Sequence, residues 1–159
     1  MAYRYFFSEV VLVITAALLF YAAFTDFKQY KIRNDLILTL VGLFAIHAVI
    51  SGRWVNVSWN IGLAVVVFLF LLYFYAQNWM GGGDVKMLTV AFLWIGIDCA
   101  IPFALLLLVF SSLHTLAVKL GWLGTHGLNE EARTRIPFAP SLAAALISMF
   151  MIGCLRPEL

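Results

Sequence analysis

Long runs without a charged residue constrain this sequence more than any other feature. Of its 159 residues, 64% are hydrophobic and 11% are charged. A soluble domain of this size cannot bury that much apolar surface, so lipid must solvate it. A helix needs about 20 mostly apolar residues to cross the hydrocarbon core of a bilayer. The long runs free of Asp, Glu, Lys and Arg are Val10–Thr25, Leu36–Gly52, Trp54–Gly83, Ala100–Val118 and Ile136–Leu155.

A shorter run, Met87–Ile97, spans only about half of the core at 1.5 Å per residue, and we interpret it as a short sixth helix. The alternative is one broken segment, Met87–Val118, which gives five spans and moves the C-terminus to the other side. The first run continues into Asp26 without a convincing cleavage site, which favours a retained helix that extends back past Glu9. The sequence thus predicts an all-α polytopic membrane protein of about six transmembrane helices, with residues 1–159 as a single domain.

The distribution of Lys and Arg predicts the orientation, because cytoplasmic loops retain positive charge. Six spans with the N-terminus outside place seven basic residues on the inner side and three on the outer side. This arrangement puts Asp26 and Gly81–Lys86 at the cytoplasmic edge. The inner residues are Lys28, Lys31, Arg33, Lys86, Lys119, Arg133 and Arg135, and the outer ones are Arg4, Arg53 and Arg156. They are too few and too scattered to predict nucleic-acid binding.

Two acids stand at the inner ends of predicted helices. Asp26 closes the first helix, where the macrodipole disfavours an anion, and Asp84 precedes the fourth. An ionisable group near the hydrocarbon costs at least about 2.5 kcal/mol, so each needs an explanation. Asp84 has a structural alternative as a helix N-cap. For Asp26 the alternative is a solvated interfacial carboxylate beside Lys28.

Three glycines, Gly81, Gly82 and Gly83, come directly before Asp84. Each costs roughly 1 kcal/mol relative to Ala in a helix, so we expect them to give backbone access instead. A peptidase substrate must lie extended beside the acid, and residues without Cβ atoms permit this. A glycine turn between spans is the structural alternative.

Two carboxylates that share one proton can hydrolyse a peptide bond without a metal or a nucleophilic side chain. The ionised acid takes a proton from water, and the protonated acid polarises the scissile carbonyl. Lys86 could support the ionised state or bind a substrate carboxylate, or it could simply be an inner flank of a span. We expect neither a cofactor nor a metal. Cys99 and Cys154 lie in apolar runs without CxxC spacing, so we expect neither a zinc site nor a disulfide and interpret both as small buried hydrophobes. We expect His47 and His114 to form interhelical hydrogen bonds, and His126 falls in a loop.

Three motifs in order resemble the type IV prepilin peptidases. Thr25-Asp26-Phe27-Lys28 continues to Lys31-Ile32-Arg33-Asn34, and Gly81–Asp84 matches the GxGD signature. Ile136-Pro137-Phe138-Ala139-Pro140 is similar to the segment that opens the family's last helix. The family's usual Ile-Pro-Asn is Ile32-Arg33-Asn34 here, so the proline is missing.

The resemblance implies that Asp26 and Asp84 are the catalytic pair of an aspartic-type endopeptidase, with Gly81–Gly83 and Lys86 supporting the site. It implies cleavage of pilin-like precursors at the cytoplasmic face of the inner membrane, in association with pilus or secretion machinery. The chain is similar to the short, peptidase-only members found in tight-adherence pilus systems, and archaeal preflagellin peptidases are also similar. An ion-coupled transporter and a non-catalytic assembly factor are the alternatives from other classes.

Overall fold

The computed structural model describes residues 2–29, 33–52, 54–120 and 139–153, without the side chains of residues 2, 4, 5, 23 and 26–29. This part of the chain is helical and contains no strand, which confirms the predicted fold class. The six helices are α1 (Ala2–Gln29), α2 (Asn34–Ser51), α3 (Trp54–Ala76), α4 (Gly82–Ile95), α5 (Ala100–Lys119) and α6 (Ala139–Ile152).

Three of these helices, α2, α3 and α5, are long and apolar enough to cross a membrane by themselves. Helix α1 carries a shorter apolar stretch, Phe6–Ala22, and α6 is a short apolar helix. Large apolar side chains cover the outside of α3 and α5; Val66, Phe70 and Ile101 are each more than 60% exposed. In a membrane this surface faces lipid, so the exposure carries no hydrophobic penalty.

Helix α4 lies at the centre of the bundle, where it packs against α2, α3 and α6. Half of its residues are buried, among them Met87, Ala91 and Trp94. Helix α6 also packs against α1 and α5. Its buried small residues, such as Ala143 and Ala145, let neighbouring backbones approach closely.

Helix α4 differs from its predicted bounds. It begins at Gly82 and ends at Ile95, so its 14 residues extend about 21 Å. A turn over residues 96–99 separates it from α5, so Met87–Val118 is broken into two helices, and the choice between five and six spans stays a prediction. Gly96 has φ 70° and ψ −178°, a conformation that side chains disfavour. The short helix that the sequence predicts over Met87–Ile97 is therefore α4, an element separate from α5.

Helix α1 extends back past Glu9, as predicted, and it continues to Gln29. Asp26 therefore lies inside the last turn of α1 and does not close the helix. Thr25, its neighbour, donates its hydroxyl to the carbonyls of Tyr21 and Ala22 at 3.0 and 2.9 Å. Such a bond to the preceding turn satisfies the hydroxyl within the helix.

Candidate active site

Asp84 is the third residue of α4. Gly81, with φ −71° and ψ 142°, is the N-cap, and Gly82 and Gly83 are the first two helical residues. Asp84 is therefore not the N-cap that was the structural alternative for it. A carboxylate in the first turn of a helix is still stabilised by the macrodipole and by exposed N–H groups.

Two of the three glycines are helical, contrary to the expectation that all of them lie outside the helix. Glycine loses more backbone entropy than other residues in a helix, so a steric need is the reason to expect it here. A Cβ on Gly81 would stand 3.0 Å from Oδ2 of Asp84, and a Cβ on Gly82 would stand 3.2 Å from the ring of Tyr75. Gly81 thus makes room for the carboxylate, and Gly82 makes room for an aromatic ring.

The end of α3 brings the chain to Gly81 through a Schellman motif. The N–H of Trp79 bonds to the carbonyl of Phe74 at 3.1 Å, and the N–H of Asn78 bonds to that of Tyr75 at 3.0 Å. Asn78 has φ 58°, the left-handed conformation that this motif requires. The rings of Trp79 and Phe74 lie 5.7 Å apart and supply the usual apolar contact. Two backbone hydrogen bonds and one apolar contact therefore stabilise the turn before the glycines.

Lys86 joins α4 to the start of α2. Its Nζ donates to Oδ1 of Asn34 at 3.0 Å, between residues 52 apart in the chain. Asn34 is the first residue of α2 and stands eight positions after Asp26. The bond therefore places the first turns of α4 beside the first turn of α2.

Arg33 occupies the place of the family's proline and has a proline-like backbone. As the N-cap of α2 it has φ −73° and ψ 135°, within the range that a pyrrolidine ring imposes. Its guanidinium donates to the carboxylate of Asp35 at 3.0 Å, and both side chains are largely exposed. The backbone of Arg33 therefore has dihedrals that a proline could also adopt.

The side chain of Asp26 lies outside the described part of the structure. The backbone of Asp26 lies in the last turn of α1. Helix α1 packs against α2, and α2 begins at Asn34, which accepts a hydrogen bond from Lys86. The approach of the two carboxylates to each other stays a prediction. Lys28, Lys31, Arg133, Arg135, His126 and the Ile136–Phe138 part of the third motif also fall outside the described residues.

Two histidines form the interhelical hydrogen bonds that the sequence predicted. Nε2 of His47 lies 3.1 Å from the hydroxyl of Ser8, between α2 and α1. Nδ1 of His114 lies 3.0 Å from the hydroxyl of Ser141, between α5 and α6. Across the residues that the structure describes, His, Cys, Asp and Glu do not gather in groups of three that could hold a metal.

Cys99 confirms the expected burial and corrects the expectation that no disulfide forms. It is buried at the start of α5, and it is disulfide-bonded. Cys154, the other cysteine of the sequence, lies outside the described residues. The sequence argument failed because pairing depends on a contact between distant segments, and local spacing carries no information about such a contact.

Sequence reasoning also missed the contacts of Tyr75 and Trp94. The sequence offers no signal that the Tyr75 ring packs on Gly82. Trp94 is buried and donates its indole N–H to the carbonyl of Leu40 at 3.1 Å, which ties α4 to α2. A local signal for the Schellman motif was present in Asn78, which follows an apolar run and precedes an aromatic residue.

A comparison with protein families agrees with the motifs. The model of the type IV leader peptidase family matches residues 13–121, more than half of the chain. This range includes Asp26, the three glycines and Asp84. Comparisons with curated proteins and with solved structures returned no significant match. On the family match, this protein is a member of the type IV leader peptidase family.

Proposed function

We propose that the chain is an aspartic-type endopeptidase that removes the leader peptide from pilin-like precursors at the cytoplasmic face of the plasma membrane. Membership of the family supports peptidase activity in general. The observation that carries the finer proposal is the hydrogen bond from Lys86 to Asn34. This bond links the helix turn that holds Asp84 to Asn34 at the start of α2, eight positions after Asp26 in the sequence.

In the proposed mechanism Asp26 and Asp84 share one proton. Two carboxylates at close range do not both ionise readily, so one acts as general base toward water and the other as general acid toward the scissile carbonyl. Each role contributes about 10²–10⁴ in rate. Gly81 leaves space for the carboxylate of Asp84, and a backbone without Cβ atoms over Gly81–Gly83 suits an extended substrate.

The proposed orientation places Asp84 on the cytoplasmic side and the turn over residues 96–99 on the opposite side. The disulfide of Cys99 supports this arrangement, because disulfides persist in oxidising compartments and are rare in the cytosol. Single cysteines at Gln77 and Ile97, both exposed, would test it in a variant with serine at positions 99 and 154. An impermeant maleimide should label Ile97→Cys in intact cells and Gln77→Cys only after permeabilisation; the reverse pattern would contradict the orientation.

The decisive experiment is cleavage of a co-expressed pilin-like precursor by the wild type, Asp26→Asn and Asp84→Asn. Asp98→Asn is the matched control, since Asp98 is an exposed acid at the other end of α4. We expect both site variants to abolish leader removal while the control and the wild type process the precursor. Immunoblots of the membrane fraction establish that all four proteins accumulate. Processing by both site variants at the wild-type rate would refute the paired-aspartate mechanism.

A further inference from the structure

The hydrogen bond between Asn34 and Lys86 connects two segments that the chain keeps far apart. Asn34 begins α2, and Lys86 is the fifth residue of α4. Both side chains are exposed, and Oδ1 of Asn34 accepts from Nζ of Lys86 at 3.0 Å. Lys86 stands two residues from Asp84, so any restraint on it acts on the turn that carries this acid.

A second contact holds the same two helices deeper in the bundle. The indole N–H of Trp94 donates to the carbonyl of Leu40 at 3.1 Å, and both residues are buried. Trp94 lies eight residues after Lys86, about 12 Å along the helix axis. The rings of Phe44 and His47 on α2 also contact the Trp94 ring, so the two helices are held together at this depth. The contact at Asn34 fixes the tips as well, which sets their separation at the end where Asp84 lies.

The acceptor of the hydrogen bond from Lys86 is a side-chain amide oxygen. Asn34 offers a neutral amide oxygen, so the hydrogen bond orients the ammonium of Lys86 without cancelling its charge. The neighbouring pair Arg33 and Asp35 is different, because its two charges meet within the start of α2 and do not reach α4. The Arg33–Asp35 and Asn34–Lys86 pairs are both exposed, with a donor–acceptor distance of 3.0 Å in each. Of these two pairs, Asn34–Lys86 joins two helices.

We propose that Asn34 is a positioning residue for the proposed peptidase: through Lys86 it holds the Asp84 turn at a fixed distance from the segment that follows Asp26. This inference rests on the proposed function. It assigns Lys86 to the support of the site and not to the binding of a substrate carboxylate. Asn34 and Lys86 then act as one unit, and removal of either has the same effect.

A double-mutant cycle with Asn34→Ala and Lys86→Met tests the unit, with kcat and KM measured on a pilin-like precursor in detergent or liposomes. We expect each single variant to lower kcat about tenfold with little change in KM, and the double variant to be no slower than either one. Asn34→Asp keeps an oxygen acceptor in the same position and should retain activity within about threefold of the wild type. Arg33→Ala with Asp35→Ala is the matched control, and it should leave kcat unchanged.

The outcomes separate this inference from the proposed function. Additive losses in the cycle, or an Asn34→Ala variant with wild-type kcat, would overturn the positioning role while Asp84→Asn remains inactive. A rise in KM confined to Lys86→Met would assign Lys86 to substrate binding and also overturn it. Cleavage that is unaffected by Asp84→Asn would instead refute the peptidase mechanism itself.

Discussion

The carboxylate of Asp84 lies against Gly81, with Oδ2 only 3.0 Å from the position that a Cβ of residue 81 would occupy. Gly81 is also the N-cap of α4 and has an extended backbone that any residue can adopt. The requirement for glycine at this position therefore comes from the space that the carboxylate fills and not from the backbone dihedrals.

Gly81→Ala should reduce cleavage while leaving the fold intact. The added methyl group meets the far end of a side chain, which can move by a few tenths of an ångström. A small displacement of the proposed catalytic acid is costly, and we expect a loss of about tenfold in kcat. The measurement is precursor cleavage at equal membrane levels. Gly62→Ala is the control, since a Cβ there has open space around it; equal activity of the two variants would contradict this account.

Asn78 should be replaceable by Gly but not by Val. The left-handed conformation at φ 58° costs a non-glycine residue about 1–2 kcal/mol, and more when it is β-branched. Asn78→Gly should raise the thermal midpoint of the purified protein slightly, and Asn78→Val should lower both the midpoint and the cleavage rate. A Val variant as stable and active as the wild type would show that the Schellman motif does not position the glycine segment.

Arg33→Pro should preserve folding and activity. The dihedrals of Arg33 already suit proline, and the exposed pair that it forms with Asp35 contributes about 0–1 kcal/mol at most. Leu38→Pro, inside α2, should destabilise the protein by about 3 kcal/mol or more. Membrane accumulation and thermal midpoint compare the two. Loss of the Arg33→Pro protein would mean that the site requires arginine itself.

Gly96→Ala should destabilise the bundle. Its φ of 70° strains any side chain, and a Cβ there would overlap the side-chain amide of Asn60 on α3. We expect a loss of about 2 kcal/mol or more in the free energy of unfolding. Gly42→Ala is the control, because a Cβ added to this helical glycine would have no atom within 4 Å. Alanine there should raise the free energy of unfolding by about 0.5–1 kcal/mol. Unfolding in detergent by circular dichroism measures both, and similar midpoints would disprove the clash.

Hydrophobic length is a local property, so the sequence alone predicted the apolar helices. Runs without charged residues predicted the helices, and the motifs around Asp26 and Asp84 predicted the family. Helix ends depended on finer chemistry: α1 continues to Gln29, and α4 begins within the glycines. The sequence left these bounds open because glycine and aspartate are compatible with both a turn and a first helical turn.

Only the tertiary structure decided which helices meet and through which residues. A helix that is apolar on all sides gives no signal of the face it buries, and α2 and α3 expose large apolar residues such as Leu38, Val49 and Trp59. The sequence alone therefore could not show that Trp94 is buried against α2 or that Cys99 pairs. It also could not show that Lys86 reaches Asn34 across 52 residues, since that contact depends on how two helices pack in three dimensions.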